Sequence, residues 1–534
     1  MAIPKLAGIE TEYGILIFGE EESNPFYASR LMLEAYRHIG EPFVPCENYH
    51  GDMNDVMSSL MLSNGARYYI DHAHPEYSTP ECRSIYDLVA ADKAGERLLY
   101  ACQCQVNKSL PEGQEIRLYK NNSDQKGNSY GCHENYLLST ALFEQLNHQT
   151  PLMLRYFIPF LVTRTVFCGA GKVGSENGTM PVGFQLSQRA DFFETLIGLQ
   201  TTHHRPLFNT RDEPHANKTQ FRRLHVIPGD ANMAEFSTYL KIGTTRLVLD
   251  MLEDGFFQDD LTLAEPLAAF KIVSRDLNFN TPLTLADGRR LTALEIQHIY
   301  SRRAEQYLEQ INGNDEQMEV LDEWQDVLEQ LPEQWNVLSN RLDWAVKKRL
   351  LDKYLHTQNI TWQQVTAWQP IVEATLSTSE ILARQTAEAR GLFWSDYHKQ
   401  REIYFGLRRL DLEYHDIRQG YHEESMGLFY QLQRRGAIEC LLTDEEIQEK
   451  MTIPPIDTRA WLRGQCVTHF ANNILRADWE QLYFRAPSGM NHVLDLTEPM
   501  GIENQSIKID WQTLDNPEKL IKYCQKEFTR ESDE

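Results

Sequence analysis

The stretch Asn64-Gly-Ala-Arg-Tyr-Tyr-Ile-Asp-His-Ala-His-Pro-Glu-Tyr-Ser-Thr79 carries the pattern that decides the fold of the first half of the chain. As a strand, it places Arg67, Tyr69 and Asp71 on one face, because side chains alternate with a period of two. A cation, a phenol and a carboxylate on one face, with Glu76 just beyond, suit the binding of a phosphate and a metal beside a catalytic carboxylate. An ordinary edge strand with a solvated polar face is the alternative, since every half-buried strand alternates in this way.

A second strand-like segment, Gly8-Ile-Glu-Thr-Glu-Tyr-Gly-Ile-Leu-Ile-Phe18, places Glu10 and Glu12 on one face. Two adjacent carboxylates repel each other, and away from water they need a divalent cation or basic partners. Such oxygen ligands suit Mg²⁺, which usually binds through carboxylates together with substrate phosphates. A solvated acidic face is the alternative, and the apolar run that continues the strand argues against it.

Composition indicates a globular protein that can form one large core plus a smaller domain, with 534 residues, 42% hydrophobic and 24% charged. No apolar run approaches the roughly 20 residues that span a bilayer, and the first residues lack the apolar core of a signal peptide, so we expect a cytoplasmic protein without a membrane partner. The net charge of -25 argues against broad nucleic-acid binding. Basic residues do cluster at Arg211 and at 218–223, where an anion site is expected. The nine cysteines are scattered without a CxxC pair, which indicates neither a disulfide framework nor a zinc ribbon.

The order of predicted elements is typical of an α+β fold. Strand-like segments dominate up to about residue 250, and they are 8–18, 66–71, 116–120, 161–167 and 223–227. Helices follow, and Thr292 with Glu295 has the spacing of a capping box in front of an apolar stripe that we assign to the core. The break at Pro454-Pro455 predicts a large domain of residues 1–453 and a small C-terminal domain of residues 456–534.

Three further segments could carry chemistry. Residues 169–174 are glycine-rich but lack the P-loop spacing, so a tight turn after the 161–167 strand is favoured over a phosphate site. In the polar loop 120–135, His133 and Glu134 are either metal ligands or hydrogen-bonding loop residues. Arg223 shares a predicted strand face with His225, and its guanidinium suits a phosphate, with a structural ion pair as the alternative.

Six motifs together resemble the Pup ligase/depupylase family, which is related to glutamine synthetase and to carboxylate-amine ligases. They are residues 8–14, 64–77, 129–136, 209–215, 222–232 and 414–418. The resemblance covers most of the chain and implies a glutamine-synthetase-like curved antiparallel sheet that cradles Mg-ATP, with helices packed behind it and a small C-terminal domain. Residues from about 362 to 402 look like an insertion.

The resemblance also implies roles for residues of these motifs. Glu10, Tyr69 and Glu76 would hold magnesium, and Asp71 would be the catalytic carboxylate. We add Glu12 as a further metal ligand, from the strand-face argument.

The same resemblance implies that Arg67, Thr79 and Trp479 contact ATP. We add Arg223 as a phosphate contact, because its guanidinium shares a predicted strand face with other polar groups. The ATP phosphates and the magnesium would then be held by the same face of the sheet.

The family has two branches with opposite reactions. One ligates the C-terminal glutamate of the ubiquitin-like modifier Pup to a lysine, after forming a phosphorylated glutamate. The other deamidates a C-terminal glutamine of Pup and hydrolyses the isopeptide bond. The motifs most similar to the hydrolytic branch are residues 71–78, 184–191, 229–232, 238–245 and 287–292.

The resemblance therefore implies an ATP- and Mg²⁺-dependent depupylase of the bacterial proteasome pathway, with Pup and pupylated proteins as partners. Asp71 would activate water or attack the carboxamide carbon itself, and nucleotide and magnesium would organise the site without being consumed. The first alternative is the Pup–protein ligase, in which Asp71 deprotonates the incoming lysine. The second is a catalytically inactive, ATP-dependent binder of Pup-tagged proteins.

Overall fold

The computed structural model describes residues 2–20, 23–46, 58–148, 150–375, 378–485, 491–500, 511, 517–522 and 524. Within these residues, helices alternate with mostly antiparallel strands up to about residue 230, and helices dominate afterwards. The α+β fold class expected from the sequence is confirmed. None of the helices in the described residues is long and apolar enough to cross a membrane.

The described residues contain 18 strands. They are β1 Ala7–Glu12, β2 Gly14–Phe18, β3 Phe43–Pro45, β4 Ser59–Leu62, β5 Arg67–Asp71, β6 His74–Ser78, β7 Glu115–Tyr119, β8 Cys132–Ser139, β9 Lys172–Val173, β10 Phe184–Gln185, β11 Phe193–Gly198, β12 Arg205–Asn209, β13 Phe221–Val226, β14 Leu283–Thr284, β15 Arg290–Leu291, β16 Ile474–Ala477, β17 Gln481–Arg485 and β18 Asn491–Asp495.

The described residues also contain 17 α-helices. They are α1 Pro25–Ala35, α2 Ile85–Asn107, α3 Thr140–His148, α4 Thr150–Leu152, α5 Ile158–Thr163, α6 Thr165–Cys168, α7 Glu235–Glu253, α8 Pro266–Arg275, α9 Ala293–Ile311, α10 Asp315–Gln334, α11 Asp343–Gln358, α12 Trp362–Glu373, α13 Glu380–Ala389, α14 Trp394–Tyr414, α15 Leu428–Arg434, α16 Asp444–Lys450 and α17 Arg459–Phe470.

The central element is a seven-stranded antiparallel sheet with the strand order β13-β8-β1-β6-β5-β4-β3. Its three inner strands β1, β6 and β5 come from the two stretches that carry the acidic and the Arg/Tyr/Asp patterns. Strands β5 and β6 form a hairpin whose turn lies at residues 72–73, directly after Asp71. The hairpin turn therefore presents Asp71 at the end of the sheet.

One face of this sheet packs on the long helices α2 and α7. The side chains on that face are buried and mostly apolar, among them Ile9, Tyr77 and Leu224. Helix α2 approaches closely because Gly95 has no side chain: a Cβ at that position would lie 2.4 Å from the ring of Tyr77. The apolar face thus anchors the sheet, and its other face remains for polar groups.

One prediction about a helix start is confirmed, and one predicted strand is a helix. The capping box of Thr292 and Glu295 is confirmed at the start of α9, whose apolar stripe is buried in the core. The predicted strand at residues 161–167 is wrong, because these residues belong to α5 and α6, with Pro159 in the first turn of α5. All seven residues are buried, including Thr163, Arg164 and Thr165. With no exposed face to reveal a period, periodicity could not separate helix from strand.

At the C-terminal end, α17 and the sheet β16-β17-β18 share a separate apolar cluster. Val44 of β3 and Met61 of β4 also belong to this cluster, so it packs against the edge of the central sheet. The division between residues 1–453 and 456–534 stays a prediction. All nine cysteines are free thiols, and all but Cys104 and Cys440 are buried.

Candidate active site

The strand register brings the predicted site residues together on one face of the sheet. Glu12 of β1 lies opposite Glu76 of β6, which in turn lies opposite Tyr69 of β5. Because directly opposed residues project to the same side, this register forms a row of two carboxylates and a phenol across three strands. Glu10, two residues before Glu12, lies opposite His133 of β8 on the same face.

The first side-chain cluster combines Glu12, Asp71 and Glu76. One carboxylate oxygen from each lies within 4.8 Å of the other two. Glu76 is 2% exposed, whereas the side chain of Asp71 is 38% exposed at the hairpin turn. The cluster therefore has a buried end and an open end, and Asp71 is at the open end.

The pKa of Glu76 reflects both its burial and the repulsion from neighbouring carboxylates. Burial, followed by the charges of Glu12, Asp71 and Glu10, raises the pKa of Glu76 well above its usual range. The phenol of Tyr69 donates a hydrogen bond to Glu76, and burial raises the Tyr69 pKa, so this side chain stays neutral. A divalent cation would relieve the repulsion among the carboxylates, and the oxygen donors of the cluster suit Mg²⁺.

The second cluster combines Glu10, His133 and His225. Glu10 Oε2 lies 3.6 Å from Nδ1 of His133 and 3.6 Å from Nε2 of His225. Burial lowers the pKa of His225 to about 3, so its imidazole is neutral, the form that binds metals. Although burial acts in the opposite direction, the two histidines and Arg223 hold the pKa of Glu10 well below its usual range. This cluster was only partly found from the sequence, which paired His225 with Arg223 but not with His133.

The strand β8 also corrects an expectation about its own residues. His133 and Glu134 lie within this strand, not in a loop, because the polar loop ends before Cys132. Only His133 faces the site. Glu134 points the other way, fully buried, and accepts a 2.8 Å hydrogen bond from Arg164 Nη1 and another from the Tyr136 hydroxyl. The buried ion pair of Arg164 and Glu134 therefore lies on the face of β8 opposite the site.

Thr79 and Trp479 line a small cavity of about 90 Å³ together with Glu10 and Arg223. Its walls are mostly apolar side chains from β1, β8 and the C-terminal segment, and Arg463 stacks on the Trp479 ring at 4.7 Å. The hydroxyl of Thr79 accepts a 3.0 Å hydrogen bond from the Ile9 amide. An apolar slot that ends in an arginine and a carboxylate has the chemistry of a nucleotide-base pocket leading to phosphate and metal.

The two predicted arginines differ in their surroundings. Arg67 donates a 2.7 Å hydrogen bond to the Ser59 hydroxyl and stacks on the Tyr69 ring, with 4.5 Å to its centroid. Arg223 donates hydrogen bonds to Glu10 at 3.2 Å and to Asn135 at 2.6 Å. Both guanidinium groups therefore flank the row of carboxylates, although neither is free of protein partners.

The basic cluster expected to bind an anion is largely neutralised. Arg222 pairs with Asp212 at 2.5 Å, and Arg211 lies 3.7 Å from Glu213. These exposed pairs cancel much of the positive charge at the rim. The unbalanced positive charge lies deeper, at a residue of the 184–191 motif to which the sequence assigned no role.

That residue is Arg189, which is fully buried. Within the described part of the chain, its Nε and Nη1 atoms have no hydrogen-bond partner. Burial, followed by the neighbouring charge of Arg205, lowers its pKa to about 10, which still leaves it charged at neutral pH. Glu12 is among the nearby groups that favour its charge. The guanidinium stacks on the Phe193 ring, with 5.6 Å to its centroid, but a ring does not replace hydrogen-bond acceptors. Buried donors without acceptors are costly, and an anionic ligand would offset that cost.

The sequence matches the protein family described as Pup-ligase protein over residues 5–371 and 380–483. A depupylase of Acidothermus cellulolyticus is 40% identical over 513 residues, which cover 90% of this chain and 91% of the relative. A Pup deamidase/depupylase of Mycolicibacterium smegmatis is 38% identical over 509 residues, with 90% and 91% covered. A Pup–protein ligase of the same species is 36% identical over 487 residues, with 90% and 93% covered.

Two solved structures are similar to this chain. The complex between the prokaryotic ubiquitin-like protein Pup and its ligase PafA has a TM-score of 0.75 and 31% identity, covering 97% of this chain and 92% of that chain. A complex of the Pup ligase PafA with ADP has a TM-score of 0.69 and 32% identity, covering 87% and 90%. The similarity therefore extends over the sheet, the helices and the C-terminal segment.

Proposed function

This chain belongs to the Pup-ligase protein family, and from this membership we propose that it is a Mg-ATP-dependent depupylase and Pup deamidase. It hydrolyses the isopeptide bond between the C-terminal glutamate of Pup and a substrate lysine, and it deamidates a C-terminal glutamine of Pup. Its partners are Pup and pupylated proteins of the bacterial proteasome pathway, and we propose that it acts in the cytoplasm.

One observation carries the catalytic part of the proposal: Asp71 lies at the accessible end of the Glu12/Asp71/Glu76 cluster. Glu12 and Glu76 are buried and suited to a cation, whereas Asp71 can reach a substrate that enters beside the hairpin turn. The two identities to hydrolytic relatives, 40% and 38%, support hydrolysis over ligation.

In hydrolysis, Asp71 and two arginines have different roles. Asp71 takes a proton from water as the oxygen adds to the carboxamide carbon, or it attacks that carbon directly. In the first case, the proton passes to the departing amine when the carbon–nitrogen bond breaks. In the second case, the departing amine takes a proton from a water molecule, and the hydroxide that remains cleaves the mixed anhydride between the glutamate and Asp71, which releases the glutamate carboxylate and regenerates Asp71. Arg223, which contacts Glu10, and the buried Arg189, whose charge Glu12 favours, stabilise negative charge that develops at the site.

Mg²⁺ and ATP fit the same face of the sheet. Glu10, Glu12, Tyr69 and Glu76 would hold the metal, and the Tyr69 hydroxyl also orients Glu76, whereas Arg67, Thr79, Trp479 and Arg223 would hold the nucleotide. When bound, the metal and phosphates supply positive charge and fixed oxygens that position the scissile carbonyl. We infer that this role needs no ATP consumption per turnover.

Ligation is the second candidate, because a Pup–protein ligase is also 36% identical to this chain. The two reactions differ in ATP use and in direction. The test incubates the purified chain with Mg-ATP and a Pup-conjugated model protein, and in parallel with free Pup and the unmodified protein. Release of Pup from the conjugate without stoichiometric ATP hydrolysis is the expected result.

The opposite result would be equally clear. Accumulation of conjugate with one ATP consumed per bond would identify a ligase and overturn the hydrolytic assignment. Neither release nor conjugation, combined with retained binding of the conjugate, would identify an inactive binder.

We expect Glu76→Gln to weaken magnesium binding, so that the variant needs a higher Mg²⁺ concentration for the same activity. The substitution keeps the acceptor for the Tyr69 hydroxyl but removes one charge from the cluster. Since loss of an outer partner of a metal ligand already costs about 10- to 100-fold in affinity, the Mg²⁺ concentration for half-maximal activity should rise by at least that factor.

A magnesium titration of Pup release checks this expectation for the Glu76→Gln variant. Glu194→Gln is a matched control, because Glu194 is an exposed carboxylate of β11 that pairs with His204 and does not line the site. An unchanged magnesium requirement in Glu76→Gln would remove Glu76 from the metal site.

A further inference from the structure

A second cavity, of about 410 Å³, lies away from the active site. It is bounded by side chains of α2, α7, α15 and α16 and by the segment around residues 419–421. None of its lining residues lines the nucleotide cavity. Its volume falls within the range of about 300–1,000 Å³ that small-molecule sites occupy.

The inner end of this cavity contains a carboxylate oxygen that lacks a partner. Glu235 is 1% exposed, and its Oε2 accepts hydrogen bonds from the amides of Leu441 at 2.7 Å and Leu442 at 3.1 Å. Its Oε1 is buried and has no hydrogen-bond partner among the described residues. A buried acceptor of this kind is costly unless a donor satisfies it.

The charges around Glu235 favour a cationic donor. Lys93 and Lys120 are buried with Asp92 and Glu96, and the two lysines pair with these two carboxylates over 2.6 to 2.9 Å. Arg97, which also lines the cavity, pairs with Asp444 at 2.5 Å. Glu235 is therefore the one carboxylate of this group without a paired cation, although the charge of Lys93 acts on it. Burial raises the pKa of Glu235, and a bound ammonium would remove that penalty.

The outer end of the cavity offers hydrogen-bond donors, whereas the inner end offers an acceptor. The Nε2 atom of Gln419 is buried without a hydrogen-bond partner among the described residues, so it offers a free donor. Arg434 lies at the exposed mouth, where its Nη1 donates a 2.6 Å hydrogen bond to the Tyr421 carbonyl and contacts the Met426 sulfur at 3.9 Å. A guanidinium has five N–H donors, so Arg434 can still bind an anion.

We propose that this cavity binds a small zwitterion with a primary amine and a carboxylate, the chemical class of free amino acids. The ammonium group donates to Oε1 of Glu235, and the carboxylate accepts from Gln419 and Arg434. Met426 and Leu442, which line the walls between the two ends, contact the carbon chain. This site is independent of the reaction at the sheet.

L-Lysine is the probe for a calorimetric titration of the purified full-length chain. Butylamine, which has only the amine, and glutarate, which has only carboxylates, are the matched probes. We expect L-lysine to bind, and each single-function probe to bind at least about tenfold more weakly, because each forfeits one charge-assisted contact.

Glu235→Gln tests the inner end directly. Its carbonyl oxygen can still accept from the two backbone amides, while the amide nitrogen replaces the free oxygen, so we expect L-lysine affinity to fall by about 10- to 100-fold. Glu445→Gln, at an exposed position of α16 outside the cavity lining, should leave binding unchanged. If Glu235→Gln does not fold, Arg434→Gln at the exposed mouth provides the same test.

Two outcomes would overturn the proposal. One is the absence of L-lysine binding to the unmodified chain at millimolar concentrations. The other is binding that persists unchanged in Glu235→Gln, or in Arg434→Gln where that variant is used, because the probe would then be bound elsewhere.

Discussion

Asp71→Asn should abolish isopeptide cleavage while leaving nucleotide binding intact. Asparagine has the same shape but can neither accept the proton of water nor attack the carboxamide carbon. Loss of a general base or nucleophile of this kind typically costs about 10²- to 10⁴-fold in rate. Because Asp71 does not line the nucleotide cavity, the affinity for ATP should stay within about twofold, a difference below 0.5 kcal/mol.

The measurement follows release of Pup from a conjugate on a gel and titrates a fluorescent ATP analogue in parallel. Asp260→Asn serves as a control, because Asp260 is a half-exposed carboxylate that pairs with Arg155 and belongs neither to the carboxylate cluster nor to the cavity lined by Thr79 and Trp479. Full cleavage activity in Asp71→Asn would contradict the assignment of Asp71 as the catalytic carboxylate.

Arg189→Met should produce the second large effect, with activity and stability changing in opposite directions. Removal of the guanidinium deprives the site of its buried positive charge, and we expect a loss of about 10²- to 10³-fold in cleavage rate, as for other preorganised electrostatic groups. Without ligand, the same change removes an unpartnered buried charge. The free energy of unfolding should therefore stay equal or rise, by about 1–3 kcal/mol.

Arg164→Met is the matched control for the effect on stability. Arg164 is equally buried, but it pairs with Glu134. Its removal leaves a buried carboxylate without its cation, so unfolding should become easier by about 3–5 kcal/mol. Chemical denaturation of both variants without nucleotide measures the difference. If Arg189→Met destabilises the chain as strongly as Arg164→Met, the Arg189 guanidinium stabilises the folded chain without a ligand. That result would contradict its assignment as an anion-binding group.

Much of the candidate site was predictable because a strand repeats every two residues. Alternation alone placed Glu10 with Glu12, and Arg67 and Tyr69 with Asp71, and the structure has all five on strands β1 and β5. The resemblance added Thr79 and Trp479, which do line one cavity with Glu10 and Arg223. Their roles in binding ATP stay a prediction.

Other features of the site depend on contacts between distant segments. His133 and His225 meet at Glu10 because β13 and β1 both pair with β8. Arg189 reaches the site from a short loop, and its flanking sequence shows neither a strand nor a helix period. Burial also hid the period of residues 161–167, where helix formation replaced the expected strand.

The sequence by itself determined which side chains each strand presents, the start of α9 at its capping box, and the class of chemistry that paired carboxylates and arginines allow. Those features depend on neighbours within a few residues, where backbone geometry sets direction. Tertiary structure decided which strands lie side by side and therefore that Glu12, Asp71 and Glu76 converge. It also left Arg189 and Glu235 buried without full partners, because burial and charge balance are properties of the packed chain and not of any local segment.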